Sequence, residues 1–269
     1  MHAPRSNPII EPELLMLAYR SGIFPMSDAR DDPEIFWIEP RLRAILPLDG
    51  LRVSSSLART LKRGKFEVTC NRAFSQVMDE CAAPRQARDG DANDDGGDSW
   101  ISHRIQASYE NLHFLGHAHS IEVWRDGELV GGLYGVGFDR VFCGESMFSR
   151  VSDSSKVALC WLVAALRRGG ITLLDCQFMT SHLASLGAVE MPQKKYLSLL
   201  QAAQSGYCST AGSSTGSGSA AVGEALGDAA GAGVLSLPEA FEALLGDASS
   251  CGLASSPGKL IAQLLTQTS

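Results

Sequence analysis

The sequence predicts a mixed α/β domain, an α+β arrangement with antiparallel hairpins in a mixed sheet and helices on both sides of it. Three observations predict it. Asp126-Gly127 joins two strand-like runs, and this dipeptide favours a two-residue hairpin because both positions accept positive φ. A mostly apolar helical stretch at 152–168 closes on Gly169-Gly170 and leads directly into a buried-strand pattern at 171–178. Helical and strand periodicities alternate from residue 12 to residue 203, which points to layers of both kinds. With 269 residues, 45% of them hydrophobic, the chain can bury such a core in one to two domains.

The elements follow in order. Pro12 opens a short helix that Gly22 stops. The segments 22–27 and 36–38, set among prolines, read as irregular and partly buried. Ser54 caps a helix that runs to Gly64, and Phe66 to Cys70 form a strand. Asn71 is placed to cap a helix over 72–81, where Ala73, Phe74, Val77, Met78 and Cys81 keep helical spacing. An acidic, Gly-rich loop at 86–98 precedes Ser99, the expected cap of a helix from Trp100 to about Leu115, with Gly116 as its stop. Strands are expected near 120–125, 128–136 and 140–143, then the helix 152–168, the strand 171–178, a short helix at 180–186 and a helix at 194–203. Beyond Ala203 the composition turns Ser/Gly/Ala-rich and reads as a linker. Two short apolar pieces at 235–245 and 259–265 have helical character but no assigned place.

Charge and composition exclude several classes. The N-terminal MHAPRSNPII has no continuous apolar core, so it is not read as a secretory signal. No run of about 18 apolar residues occurs, which argues against a spanning helix. Seven scattered Cys without a CxxC pair fit a reduced, cytoplasmic protein with no zinc or dithiol motif. The formal net charge of −7 is concentrated in two places: Arg88 faces five aspartates within 86–98, and Lys259 faces five acids within 201–269. The remainder is close to neutral and contains Arg52, Arg59, Lys62, Arg63 and Lys65 with no acid between them. Such a run is either a solvated helix face or a local positive field for a nucleic acid.

Several constellations could carry chemistry. In Leu173-Leu-Asp175-Cys-Gln177, strand alternation places Asp175 and Gln177 on one face and Cys176 on the other. Buried polar pairs of this kind need partners, either structural or beside a reacting group. Cys176 is read as an apolar core thiol, not a nucleophile. Glu145, after a strand and Gly144, could hold an amine or a hydroxyl, or simply close a turn. His113, His117 and His119 resemble a metal set, but Gly116 breaks the helix between the first two and no carboxylate or Cys completes it. Asp91-x-Asn93-x-Asp95-Gly96 starts like a calcium loop but has Ser102 where a bidentate Glu is required. No metal site is assigned. Gly131, Gly132 and Gly135 lie on a strand, so there is no dinucleotide or phosphate-loop signature.

Six segments, taken together, carry a family resemblance: AYRSGIFPM (18–26), WISHRIQASY (100–109), LGHAHSIEVW (115–124), GELVGGLYGV (127–136), VFCGESMFSR (141–150) and LLDCQFMTSHLASLGA (173–188). In this order the chain resembles the bacterial leucyl/phenylalanyl-tRNA–protein transferases over roughly residues 12–200. The resemblance implies a small N-terminal domain (1–42), a GCN5-related N-acetyltransferase-like transferase domain (43–203) and a linker with a tail (204–269). It implies transfer of Leu or Phe, less readily Met, from Leu-tRNA or Phe-tRNA to proteins with N-terminal Arg or Lys. The product would be an N-degron that leads to proteolysis. No cofactor is implied, because the aminoacyl ester is already activated; nor is a membrane or DNA partner, and a cytoplasmic monomer is expected.

Residue by residue, the resemblance makes Asp175 and Gln177 the catalytic pair and Glu145 a substrate-binding acid. Trp100 and Tyr109 match residues near the tRNA 3′ adenosine, where stacking on an unpaired base is physically sensible. Leu133, Phe142, Met147, Leu162 and Leu174 match the pocket for the aminoacyl side chain, and the basic stretch 52–65 the surface facing the acceptor stem. Met26 and Ile38 stand where the family commonly has Trp. Asp175 would polarise Gln177, whose carbonyl oxygen would hold the attacking amine. Two alternatives stand beside this reading. An acyl-CoA-dependent N-acyltransferase normally needs a [QR]-x-x-G-x-[GA] loop opening a helix, and none is found. A non-catalytic tRNA-binding adaptor would be indifferent to Gln177.

Overall fold

The computed structural model describes residues 9–83, 99–205 and 234–266. The acidic stretch 86–98, with its calcium-like pattern, and most of the Ser/Gly/Ala-rich stretch lie outside the described residues. In chain order the elements are α1 (Pro12–Arg20), β1 (Phe24–Met26), β2 (Phe36–Ile38), β3 (Leu42–Ile45), α2 (Ser55–Lys62), β4 (Glu67–Cys70), α3 (Phe74–Ala82), α4 (His103–Phe114) and β5 (Ala118–Arg125). They continue with β6 (Glu128–Phe138), β7 (Val141–Ser149), α5 (Ser154–Arg168), β8 (Leu173–Gln177), α6 (Ser181–Ser185), β9 (Val189–Pro192), α7 (Gln193–Ser205), α8 (Leu237–Ser250) and α9 (Gly258–Thr266).

Seven strands form one mixed sheet in the order β4-β5-β6-β7-β8-β3-β9, with β7–β8 its parallel pair. Side chains alternate between two apolar cores, one on each face. Leu133, Phe142 and Leu174 point to the core shared with α2, α5, α8 and α9. Tyr134, Cys143 and Leu173 point to the core shared with α1, α3, α4 and α7. The expected layering, with helices on both sides, is therefore observed. The β5–β6 hairpin turns at Asp126 (φ 54°) and Gly127 (φ 83°), as the dipeptide requires.

Several local expectations are corrected. The segments read as irregular are a two-stranded antiparallel sheet, with Pro25 opposite Trp37. This edge pairing tolerates the missing proline N–H. Asn71 does not cap α3, because it adopts φ 60° and its side chain accepts the Ser120 N–H at 3.0 Å. The amides before α3 are met instead by Glu122, a fully buried acid of β5, which accepts from Arg72 N (3.3 Å), Ala73 N (3.4 Å) and the Thr69 hydroxyl (2.6 Å). The helix expected from Trp100 begins at His103, with Ser102 as its cap, while Ser99 closes a local turn onto Ile101 N. Ser54 caps α2 as expected.

The tail pieces that had no assigned place are α8 and α9. Almost all of α5 is buried, because a helix apolar on every side needs cover on its outer face as well. Phe241 packs at a tilt against Trp161, ring centroids 5.2 Å apart, and Arg168 pairs with Asp247 at 2.9 Å. Gly258 lies against the end of α2, where a β-carbon would fall 2.4 Å from the Leu61 carbonyl oxygen. Among the described residues no helix is long and apolar enough to cross a membrane.

Candidate active site

The parallel register between β7 and β8 runs Val141↔Leu173, Phe142↔Leu174 and Cys143↔Asp175, and then the strands part. Gly144 and Glu145 on one strand, and Cys176 and Gln177 on the other, flank this parting. The antiparallel β6–β7 register pairs Tyr134 with Ser146 and Gly135 with Gly144, leaving Glu145 as the extra residue of a β-bulge. Glu145 therefore lies within β7, not after it as the sequence suggested, and the bulge turns its side chain toward α1 and α4. Gly135 permits the bulge: a β-carbon there would sit 2.2 Å from the Cys143 carbonyl oxygen.

Glu145 is buried among neutral donors. Tyr19 donates to Oε1 at 2.7 Å, and Tyr109 (3.3 Å) and Gln177 Nε2 (2.9 Å) donate to Oε2. The two tyrosine hydroxyls also contact each other. Burial pushes the Glu145 carboxyl up to about 7, against the opposing pull of the Tyr19 and Gln177 hydrogen bonds. Burial and the nearby carboxylate also raise both tyrosines well above the ordinary phenol value.

Asp175, fully buried, has different partners. Arg43 Nε donates to its two oxygens at 2.9 and 3.1 Å, and Arg43 Nη2 and the Tyr196 hydroxyl (2.8 Å) donate to Oδ2. Oδ1 also accepts the Gln177 backbone N–H at 2.8 Å, an Asx-type turn. The expected polarisation of the Gln177 side chain by Asp175 is thus corrected: the contact is with the backbone, and the side chain belongs to Glu145. Gln177 has φ 62°. The other described non-glycine residues in that region are Asn71, Asp126, Asp139 and Asp153, types that tolerate it. A glutamine there is strained by of order 1–3 kcal/mol and is held by its surroundings.

The remaining expected residues divide into three groups. Leu133, Phe142, Leu162 and Leu174 are buried in one apolar cluster, and Met147, half-buried, packs against it. Leu133 stands opposite Met147, and Phe142 beside Leu174. Gly144 alternates onto the same face, and a β-carbon there would have only the Asp175 carbonyl oxygen, at 3.6 Å, within 4 Å. Trp100 is half-buried near the start of α4. Tyr109 is fully buried, edge-on to Tyr19 and Tyr134, so the base stacking expected of it has no exposed ring face to use. It meets the site through its hydroxyl. Arg52, Arg59, Lys62, Arg63 and Lys65 are all exposed, around α2 and the turn into β4. No described acid pairs with any of the five.

Sequence reasoning missed Tyr19, Arg43 and Tyr196. The available signal was a lone Arg in the apolar run Leu42-Arg-Ala-Ile-Leu46, since a charge flanked by core residues needs a buried partner. The histidines serve structural contacts: His113 Nδ1–H donates to the Ala118 carbonyl at 2.8 Å and its ring stacks on Phe74, while His119 meets Asn71 at 3.0 Å. Burial lowers His119 to about 4, with His113 and His117 adding to the effect. Burial also pushes the Cys176 thiol up to about 12, followed by the Asp175 charge, which leaves it unreactive at neutral pH.

The family model described as leucyl/phenylalanyl-tRNA protein transferase matches residues 45–201, and that of the N-terminal domain of the same family matches residues 9–41. A leucyl/phenylalanyl-tRNA–protein transferase from Novosphingobium aromaticivorans is 60% identical over 267 residues, covering 97% of this chain and 97% of that protein. One from Rhodopseudomonas palustris strain TIE-1 is 54% identical over 202 residues, 75% of this chain and 86% of that protein. A solved structure of a conserved protein of unknown function from Staphylococcus epidermidis aligns over 69% of this chain and 66% of its own. Its TM-score of 0.35 and 11% identity are too low to carry an argument.

Proposed function

The chain belongs to the leucyl/phenylalanyl-tRNA–protein transferase family, and we propose that it moves Leu or Phe, less readily Met, from aminoacyl-tRNA onto the N-terminal Arg or Lys of acceptor proteins. The new N-terminus marks the acceptor for degradation in the cytoplasm. The observation that carries this reading is the junction at the parting strands, where the Gln177 amide meets the Glu145 carboxyl beside a buried apolar cluster. We assign the transfer to a single chain, with a small unit at 1–42, a GCN5-related N-acetyltransferase-like unit at 43–203, and α8 and α9 of the 204–269 stretch packed on α5.

The reaction is aminolysis of an ester. The acceptor's neutral α-amine attacks the ester carbon, a C–N bond forms, and the C–O bond to the tRNA ribose breaks. One proton leaves the nitrogen, and the ribose oxygen departs with one. Gln177 Nε2 is committed to Glu145, which leaves Oε1 to accept a hydrogen bond from the amine and hold it in line. Glu145, with a carboxyl near 7, is matched to take up the proton at neutral pH or to hold a cationic N-terminus. Asp175 acts through the Gln177 backbone and is a positioning residue. Leu133, Phe142, Met147, Leu162 and Leu174 receive the aminoacyl side chain, Trp100 lies near the 3′ adenosine, and the exposed cations of 52–65 face the acceptor stem.

The test is transfer of radiolabelled Leu from Leu-tRNA to peptides beginning with Arg, Lys or Ala, without ATP or added metal. Labelling of the Arg and Lys peptides alone is expected. No labelling by folded protein that still binds the tRNA would favour an adaptor, and acetyl-CoA turnover would favour the N-acyltransferase alternative.

A further inference from the structure

Arg43 is among the largest fully buried side chains, and the reaction as described does not use it. It enters from β3, the strand laid between β8 and β9. Its guanidinium lies over the rings of Phe24 (4.7 Å) and Tyr196 (4.5 Å), and Nη1 donates to the Gly22 carbonyl at 3.1 Å. Nε and Nη2 together clasp the Asp175 carboxylate. With the Tyr196 hydroxyl and the Gln177 N–H added, the acceptor capacity of Asp175 is filled, and no lone pair is left for a substrate. The Asp175 carboxylate therefore reaches the reaction only through the backbone amide of Gln177, the described glutamine held in a left-handed conformation.

We propose that Arg43 is a positioning residue for the transfer. By fixing Asp175 it holds the Gln177 backbone in its left-handed form, and so aims the side-chain amide between Glu145 and the reacting amine. This rests on the reading of Gln177 as the group that meets the amine. Charge alone does not accomplish it: the planar fork spans both carboxylate oxygens and Gly22 at once, which a lysine ammonium cannot do. The arrangement also ties the Gly22–Phe24 segment of the N-terminal unit to the site.

The test is a double-mutant cycle on single-turnover Leu transfer to an Arg peptide, with Arg43→Lys made in the wild-type and Gln177→Ala backgrounds. In the wild-type background the rate at saturation falls on the order of 10- to 100-fold while both KM values stay within about twofold. In the Gln177→Ala background the same change matters less than about twofold. Equal losses in both backgrounds, or an unchanged rate, overturn the proposal. If Arg43→Lys fails to fold, Tyr196→Phe keeps Arg43 and removes one donor to Asp175; its smaller loss must likewise vanish without Gln177. A second readout needs no substrate. The Gln177 side-chain amide resonance, identified by its loss in Gln177→Ala, should move in Arg43→Lys or Tyr196→Phe, and an unmoved resonance overturns the proposal. If the wild-type protein transfers nothing, the functional reading fails while this resonance still decides the role of Arg43.

Discussion

Asp175 and Gln177 are joined through the backbone: Asp175 Oδ1 accepts the Gln177 N–H at 2.8 Å, while the Gln177 side chain donates to Glu145 at 2.9 Å. The carboxylate is also the counter-ion of buried Arg43. Burial is the largest single influence and pulls Arg43 toward its neutral form, but the Asp175 charge and hydrogen bonds, with Tyr196 and Cys143 adding, together outweigh it and raise its affinity for the proton. Asp175→Asn therefore leaves an uncompensated buried charge and should cost about 3–5 kcal/mol. Urea denaturation should show this as a lower midpoint with an unchanged slope. A variant as stable as wild type would contradict the ion-pair assignment.

Glu145 gives a pH signature. Its carboxyl moves from 4.5 to about 7 on folding, so between those values the unfolded chain releases a proton that the folded chain keeps. Stability from this group therefore falls as pH rises through the window, by roughly 3 kcal/mol, and levels off above pH 7. His119, lowered to about 4, acts in the opposite sense, with stability lost as pH falls below 6.5. The difference between wild type and Glu145→Gln isolates the carboxyl. Relative to wild type, the variant should become more stable as pH is raised from 4.5 to 8, and a pH-independent difference would refute the assignment.

Gly144 tests the proposed place of the aminoacyl side chain. In the free protein a β-carbon there makes ordinary contact at most, 3.6 Å from the Asp175 carbonyl oxygen. Gly144→Ala should thus leave stability within about 1 kcal/mol. If the aminoacyl side chain lies on this face of the sheet, as proposed, the added methyl should reduce Phe transfer relative to Leu transfer on the order of tenfold. Competition between Leu-tRNA and Phe-tRNA in one mixture measures the ratio, and an unchanged ratio would remove Gly144 from the pocket.

The exposed cations predict a salt dependence. Changing Arg59, Lys62, Arg63 and Lys65 together to Gln should weaken tRNA binding. It should also reduce the slope of log affinity against log salt by about one for each phosphate that the variant no longer neutralises. An unaltered slope would mean that this face is merely solvated.

Much of this was legible in the sequence because it is local. Asp126-Gly127, the Ser54 cap and the apolar period of α5 each depend on neighbours along the chain. The motifs bearing Glu145, Asp175 and Gln177 were recognisable as well. What was hidden is non-local. Strand β3 has four residues, too few for a period to show, and its Arg43 finds its partner 132 positions away. The bulge at Glu145 arises from the register of β7 against β6, which no single strand discloses. Ser54 was identified as a cap, whereas Glu122 was not, because Glu122 reaches its helix from another strand. Tail helices α8 and α9 could be recognised as helices, but their place depended on how far α5 is buried on its outer face.

The central claim, that Gln177 holds the attacking amine, is tested most directly by comparing wild type with Gln177→Ala. Leu-tRNA affinity and single-turnover transfer to an Arg peptide would be measured side by side. The account predicts an affinity within about twofold and a transfer rate reduced on the order of 100-fold or more. A variant that transfers at the wild-type rate with unchanged affinity would contradict it.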